Sequence, residues 1–374
     1  MTGKHTLAAA KRVVVKIGSA LLVDRERGTA HRKWLETLAE DVNRLRQRGQ
    51  EVVLVSSGAI AVGRHYLGLS DGRLRLEEQQ AAAAAGMVRL AHDYQEVLAQ
   101  FDLTAAQVLM TLDDSDNRRR YLNARNTLNT LLRLGAVPLI NENDTVATEE
   151  IRFGDNDRLG ARVTAMIGAD LLILLGHVDG LYECDPRKEP DARRVPEVRG
   201  AITAEIEAMA GTTVSIGGSG GMTTKLAAAR IAMVAGACMI IADGTEEYPL
   251  RQLEEGAPCT WFLPDANPKS ARKQWIAGSL KPAGVVVLDD GALNALRSGK
   301  SLLPAGVMQV EGEFQRGDAV IVNDTSGHEV ARGLIAYSAA DARQIKGYKT
   351  SEIEALLGYR GRDEMIHRDD LVLI

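Results

Sequence analysis

Only three cysteines occur in the 374 residues, Cys184, Cys238 and Cys259, and they show neither metal-ligand spacing nor a disulfide framework. That scarcity excludes a disulfide-stapled secreted scaffold and makes a reducing, cytoplasmic setting the expected home. Long apolar runs are also missing. The longest, Ile231 to Ala242, is interrupted by Gly236 and falls short of a membrane span. Met1 to Arg12 holds only a brief Leu-Ala-Ala-Ala run, too short for the core of a signal peptide. Positive charge is not in excess, with 45 Lys and Arg against 50 Asp and Glu and a formal net charge of −5. A general polyanion-binding surface is therefore not expected, which leaves only a local basic site. None of the seven histidines falls in the polar clusters described below, and no Ser-His or Cys-His arrangement is apparent. No internal repeat or low-complexity tract is present.

What the chain does have is length and alternation. At 374 residues it exceeds what one hydrophobic core usually supports, so two domains are expected. Strand patterns at Arg12 to Ile17, Glu51 to Val55, Val108 to Met110, Ala136 to Ile140, Leu171 to Leu175 and Cys238 to Ala242 alternate with helical ones. The helical segments are Trp34 to Arg48, Leu76 to Leu98, Asp116 to Leu134, Leu159 to Ile167 and Thr224 to Ala235. This order predicts an α/β fold, a mostly parallel sheet sandwiched by helices. The texture changes after Pro264. Short apolar stretches at Gly284 to Leu288, Gly306 to Val310 and Ala319 to Val322, separated by glycine turns, predict a small β-rich domain. The expected division is a catalytic domain over 8–264, a linker over 265–281 and the β-rich domain over 282–374. The run Arg118-Arg119-Arg120 reads as a solvated helix face.

Two polar clusters stand out, Asn141-Glu142-Asn143-Asp144 and Gly154-Asp155-Asn156-Asp157. Small amides and carboxylates at the carboxyl ends of strands are where open α/β sheets place ligand groups. The same residues also make ordinary turns, since their side chains bond neighbouring backbone groups. Lys16 is an anomaly, because lysine rarely ends a buried strand without a partner. It is either a snorkelling lysine or an anion ligand. Strand Glu51 to Val55 runs into Ser56-Ser57-Gly58-Ala59, a strand–turn–helix order that presents backbone N–H groups to an anion.

The most distinctive run is Gly217-Gly218-Ser219-Gly220-Gly221-Met222-Thr223-Thr224-Lys225. Its glycines allow close backbone approach and the following helix offers its positive end. Thr223 and Thr224 suit helix capping, and Lys225 would sit in the first turn, within reach of a phosphate. The order is not that of a Walker loop. A flexible linker is the alternative, but a linker does not usually run straight into a capped helix. Two lysines converging on a transferring phosphoryl group would dominate the chemistry, since unit charges 4 Å apart interact by about 4 kcal/mol at an effective dielectric of 20. The lack of a general base fits transfer onto a carboxylate, which is already ionised at neutral pH.

Together these residues resemble the amino-acid kinase family. The resemblance is carried by Val15-Lys16-Ile17-Gly18-Ser19, Val55-Ser56-Ser57-Gly58-Ala59-Ile60-Ala61 and Ile140-Asn141-Glu142-Asn143-Asp144. Gly154-Asp155-Asn156-Asp157, Gly180-Leu181-Tyr182 with Asp185-Pro186-Arg187, and Gly220-Gly221-Met222-Thr223-Thr224-Lys225 complete it. The tail, through His367-Arg368-Asp369-Asp370, resembles a PUA domain. The resemblance is closest to the branch that phosphorylates the γ-carboxylate of L-glutamate, and it implies ATP, Mg²⁺ and the product L-glutamyl 5-phosphate. It implies that Lys16 and Lys225 hold and neutralise the moving phosphoryl group and that Asp157 orients them. Ser57, Asp144 and Asn156 would bind glutamate. Lys16, Gly176, His177 and the run Ser219, Gly220, Gly221, Met222, Thr223, Thr224 and Lys225 would contact the nucleotide. Inhibition by proline, a homo-oligomer and handover of the product to a glutamyl phosphate reductase are implied as well. One departure is visible: Gly176-His177 stands where the family usually shows Ser or Thr followed by Asp, which puts the nucleotide contacts there in doubt.

Three rivals are weighed against this reading. A related kinase on N-acetylglutamate, aspartate or a nucleotide is disfavoured by the tail and by Asn141-Glu142-Asn143-Asp144. An RNA-binding protein acting through the tail is disfavoured by charge, since residues 281–374 carry 11 Lys and Arg against 14 Asp and Glu. A glycosyl transferase with Asp155-Asn156-Asp157 as its metal motif leaves Lys225 and its glycines less well explained.

Overall fold

Eight segments of the chain are extended enough, and apolar enough, to form one buried sheet. They are Arg12–Ile17 (β1), Glu51–Val55 (β2), Ala105–Met110 (β3), Val137–Glu142 (β4), Leu171–Gly176 (β5), Glu197–Arg199 (β6), Cys238–Asp243 (β7) and Cys259–Leu263 (β8). In the computed structural model, which describes residues 6–24, 28–69, 72, 74–146, 155–211, 221–265, 267, 270–271 and 282–374, their order is β6-β8-β7-β5-β1-β2-β4-β3. Every neighbouring pair is parallel except β7 with β8. The mostly parallel sheet expected from the alternation is thus found. Its centre is β1, the most β-branched strand, held between β2 and β5 with Lys16 level with Val55 and Leu174.

Because side chains alternate along a strand, β1 has two kinds of neighbour. Val13, Val15 and Ile17 join a core with Leu35, Leu38 and Val42 of Arg32–Gln47 (α1). A helix Ala59–Tyr66 (α2) follows β2, and Leu76–Ala99 (α3) adds Leu90, Tyr94 and Val97 to the same core. The next helix is Arg118–Arg133 (α4). Lys16 points the other way, towards Asp157 on Asp155–Ile167 (α5) and Lys225 on Met222–Val234 (α6).

Several boundaries differ from expectation, and three of them matter for the site. β3 starts at Ala105, where alanine pairs carry no strand signal of their own. β4 continues through Asn141 and Glu142, so two polar residues lie inside the strand rather than after it. The helices α5 and α6 begin earlier than their apolar periodicity, at Asp155 and Met222. Carboxylates and small polar residues are favoured in a first helical turn, and a periodicity count cannot register them. Gly154 and Gly217 to Gly220 lie outside the described residues, as does the side chain of Asp155.

Helices α2 and α3 cross at two glycines. A Cβ built on Gly86 would lie 1.8 Å from the Ala59 carbonyl oxygen, and one on Gly63 would lie 1.7 Å from that of Ala82. Neither neighbour is a movable side-chain tip; both are backbone. Replacing Gly86 by Ala is therefore expected to destabilise by about 1–3 kcal/mol or more, the usual cost of overpacking. Urea unfolding measures this, and an unchanged midpoint would mean that the helices can separate freely.

The chain divides into two compact units, Met1–Asp116 with Asn123–Pro268 and Asn117–Leu122 with Lys269–Ile374. The second contains a five-stranded sheet of Gly284–Leu288 (β9), Val307–Gly312 (β10), Ala319–Asn323 (β11), Glu329–Leu334 (β12) and Leu371–Leu373 (β13), in the order β10-β9-β11-β12-β13. Its own core includes Val286, Leu288, Val320, Val322, Ala331, Tyr337 and Ile366. Within this unit Arg118 departs from the solvated-face expectation. It is half-buried, and its Nε donates to the carbonyl of Gly317, while Arg119 and Arg120 are exposed.

Candidate active site

The parallel sheet directs the carboxyl ends of β1, β2, β4 and β5 to one edge, and the polar residues singled out in the sequence sit along it. Lys16 is the penultimate residue of β1 and is buried, with 7% of its surface exposed. Its Nζ lies 2.7 Å from Asp157 Oδ1. Lys225 enters from the first turn of α6, and its Nζ lies 2.9 Å from Asp157 Oδ2. Asp157 itself is fully buried. One carboxylate thus receives one lysine on each oxygen, and the cluster carries a formal charge of +1.

That arrangement answers the question about Lys16: it is a paired buried cation, not a snorkelling one. Burial alone would raise the Asp157 carboxyl, but the charges of Lys16 and Lys225 override it and hold the group well below the usual carboxylate range. Lys16 is pushed down by burial, with Asp157 opposing and the like charge of Lys225 reinforcing. A compact cationic centre whose anion is already ionised needs a further negative charge to balance it.

A second group of residues forms beside it. Val55 ends β2, and the backbone N–H of Ser56 donates to Ile140 of β4 at 2.8 Å, so the turn stays tied to the sheet. Gly58 caps α2 with φ +95°, and a Cβ there would lie 2.8 Å from Val23 Cγ2, so this turn demands glycine. Ser57 is buried and its hydroxyl accepts a 3.0 Å hydrogen bond from Asn156 Nδ2. The other amide atom, Asn156 Oδ1, is buried without a partner among the described residues. Asp144, just beyond β4, is 9% exposed. Burial pushes its carboxyl up to about 6. An unpartnered acceptor and a poorly solvated carboxylate are the features of a site that takes a cationic ligand group.

The glycine-rich approach to α6 is seen only from Gly221 onward. Ser219 and Gly220 lie outside the described residues. The capping expected of Thr223 and Thr224 is not found. The helix starts two residues sooner, at Met222, which makes Gly221 the N-cap, a residue with no side chain to bond. Thr223 is exposed. Thr224 instead turns inward, its hydroxyl 2.8 Å from the Gly221 carbonyl oxygen and 3.3 Å from Asp157 Oδ2. No spacing rule signalled that contact.

Gly176 ends β5, where its carbonyl accepts from the N–H of Gly244 at 2.8 Å. His177 follows, exposed, and lines a cleft of about 550 Å³ with Leu21, His31, Lys33, Thr245 and Glu247. Neither Lys16, Asp157 nor Lys225 lines that cleft. Among the described residues no group of three or more His, Cys, Asp and Glu side chains converges as a metal cage. Both oxygens of Asp157 are occupied by lysines. The residues described therefore do not by themselves fit a protein-held Mg²⁺. No helix among the described residues is long and apolar enough to cross a membrane.

The sequence matches the amino acid kinase family over residues 11–243 and the PUA domain over residues 284–357. A glutamate 5-kinase from Paramagnetospirillum magneticum is 63% identical over 367 residues, covering 98% of this chain and 99% of that protein. One from Rhodospirillum rubrum is 59% identical over 360 residues, with 96% of each covered. Among solved structures, the carbamate kinase of Giardia lamblia bound to AMP-PNP has a TM-score of 0.48 at 20% identity, covering 69% of this chain and all of that one (100%). The UMP kinase of Bacillus anthracis has a TM-score of 0.47 at 15% identity, covering 69% of this chain and 97% of that one. With a family match spanning more than half its length and full-length relatives of this similarity, the chain belongs to the amino acid kinase family and, within it, to the glutamate 5-kinases.

Proposed function

We propose that this protein transfers the γ-phosphoryl group of ATP to the γ-carboxylate of L-glutamate, giving L-glutamyl 5-phosphate for proline biosynthesis. The observation that carries the reading is the pair of lysines, from β1 and α6, held on opposite oxygens of one fully buried aspartate. Its net positive charge suits a phosphoryl group whose oxygens are anionic throughout, while further charge develops on the bridging oxygen that leaves. The names of the full-length relatives support the same substrate.

The chemistry needs little from the protein beyond placement and charge. A glutamate carboxylate oxygen attacks the γ-phosphorus, the new O–P bond forms, and the bond to the β–γ bridging oxygen breaks with its electron pair leaving on ADP. No base is required, since the nucleophile has a pKa of about 4.3 and is ionised. Lys16 and Lys225 neutralise the transferring group, and Asp157 keeps them close together despite their mutual repulsion. The substrate ammonium is read by Asp144 and Asn156 Oδ1, with Ser57 fixing the amide's orientation. Any Mg²⁺ the reaction uses would be carried by the nucleotide phosphates rather than by side chains described here, and would supply counter-charge to them. Gly176, His177 and the run from Ser219 to Lys225 line the nucleotide side. A catalytic domain over 8–264, a linker over 265–281 and a PUA-like domain over 282–374 complete the proposal. So do a cytoplasmic homo-oligomer, inhibition by proline and handover of the labile acyl phosphate to a reductase.

The test traps the product. With ATP, Mg²⁺ and hydroxylamine, glutamate is expected to give the hydroxamate, while N-acetylglutamate and aspartate give little. Strong activity on N-acetylglutamate with none on glutamate would overturn the substrate assignment. Adding proline to the same assay tests feedback.

A further inference from the structure

We infer that Thr224 is a positioning residue whose hydroxyl moves from the Gly221 carbonyl to Asp157 Oδ2 when Lys225 turns towards the phosphates of a bound nucleoside triphosphate. This rests on the kinase reading above and deepens it.

The starting geometry is a shared donor. A hydroxyl has one proton, yet Thr224 Oγ1 faces two acceptors, the Gly221 oxygen at 2.8 Å and Asp157 Oδ2 at 3.3 Å. The Gly221 oxygen makes the shorter of the two contacts and is the better placed to take the proton. Oδ2 is served at the same time by Lys225, 2.9 Å away, whereas Oδ1 belongs to Lys16. Lys225 and Thr224 are consecutive residues of one helical turn, and both side chains reach the same oxygen.

Loading the site changes the balance at that oxygen. Once Lys225 Nζ turns part of its charge and its three donors towards phosphate oxygens, its hold on Oδ2 of a fully buried carboxylate weakens. A buried acceptor without a donor is costly, the more so when charged. Thr224 is the one neutral donor among the described residues already beside it. Its departure leaves the Gly221 carbonyl satisfied, because the backbone N–H of Thr224 also donates there at 3.2 Å. The exchange thus has little cost at one end and restores a bond at the other. It also couples nucleotide loading to the turn at which the glycine run enters α6.

The family resemblance implies that Thr224 contacts the nucleotide, so the test must separate direct contact from action through Asp157. AMP-PNP binding with magnesium is measured by titration calorimetry for the wild type, Thr224→Val, Thr224→Ser, Asp157→Asn and the Thr224→Val/Asp157→Asn pair. Thr224→Val should weaken binding about tenfold, the worth of one hydrogen bond to a charged group. Thr224→Ser should stay within about twofold, and in the Asp157→Asn background the valine should cost less than about twofold. An equal loss in both backgrounds means that the hydroxyl acts on phosphate directly and overturns the proposal, as does a Ser variant no better than Val. If Asp157→Asn does not fold, a crystal structure of the AMP-PNP complex decides. Oγ1 closer to Oδ2 than to the Gly221 oxygen supports the exchange, and the reverse overturns it. A wild type that binds AMP-PNP but makes no glutamyl hydroxamate sinks only the substrate assignment. One that binds no AMP-PNP sinks both.

Discussion

Replacing Lys225 by methionine is expected to lower turnover about 10²–10³-fold, the cost of removing one well-placed charge from a phosphoryl-transfer site, while leaving the protein folded. The two halves of that expectation come from the same geometry. Lys225 is one of two cations on a single carboxylate, so its removal turns a +1 cluster into a neutral Lys16–Asp157 pair and relieves repulsion between the ammonium groups. The methionine retains the buried alkyl stem. Single-turnover kinetics and thermal denaturation read the two effects separately, and an unchanged rate would remove Lys225 from the mechanism. Replacing Asp157 by alanine should behave in the opposite sense. It leaves two buried cations with no counter-charge, a change that typically costs about 3–5 kcal/mol, so the loss of activity would come with a loss of stability.

The second large effect is expected at Asp144. Its carboxyl, raised to about 6 by burial, is neutral in the empty site below that pH. A neutral group cannot pair with the substrate ammonium, so kcat/KM for glutamate should fall about tenfold per pH unit on the acid side of 6, following the free enzyme. Turnover at saturating glutamate should change much less. Asp144→Asn should remove this acid limb and lower kcat/KM at neutral pH by about 10²–10³-fold, the scale for losing one partner of a buried ion pair. Stability should move the other way. Folding favours the protonated form of a group whose pKa is raised, so the stability it contributes is full below the unfolded value of about 3.9. That contribution is lost as pH rises through about 6. Asparagine avoids that loss, and the variant should be about 2–3 kcal/mol more stable than the wild type at pH 7 but equal to it near pH 4. A less stable variant with a retained acid limb would assign Asp144 to the fold rather than to glutamate.

Much of this architecture was legible from strand and helix periods, because a parallel sheet buried on both faces needs apolar strands that stand out against their turns. Lys16 was legible for the same reason, as a charge where the pattern demanded an apolar residue. The glycine run before Lys225 signals a close approach of backbone, and Gly217 to Gly220 lie outside the described residues. What periodicity missed were helix beginnings. Asn156, Asp157 and Thr224 each lie within the first three residues of a helix, where polar residues are favoured and the apolar repeat has not begun. Asp157 therefore looked like part of a turn, and its tie to both lysines came only from the family resemblance. The inward hydroxyl of Thr224 and the contact between Gly63 and Gly86 depend on what lies opposite in space. His177 remains the residue on which the sequence and the family pattern disagree, and the structure places it in solvent at the end of β5.

The register of β1 has a consequence for how the protein comes to exist. This strand is made before the rest of its sheet, but one of its two partners, β5, begins only at Leu171. Until β5 has been made, one side of the central strand has no ladder, and until Asp157 has been made Lys16 has no counter-ion. Lys225 reaches Asp157 later still. Contacts this distant in sequence are slow to form, and the nascent chain must keep a β-branched edge from pairing with another polypeptide while it waits. The same separation means that no early fragment can assemble the two-lysine centre, so catalytic competence should appear on the ribosome in one late step rather than gradually.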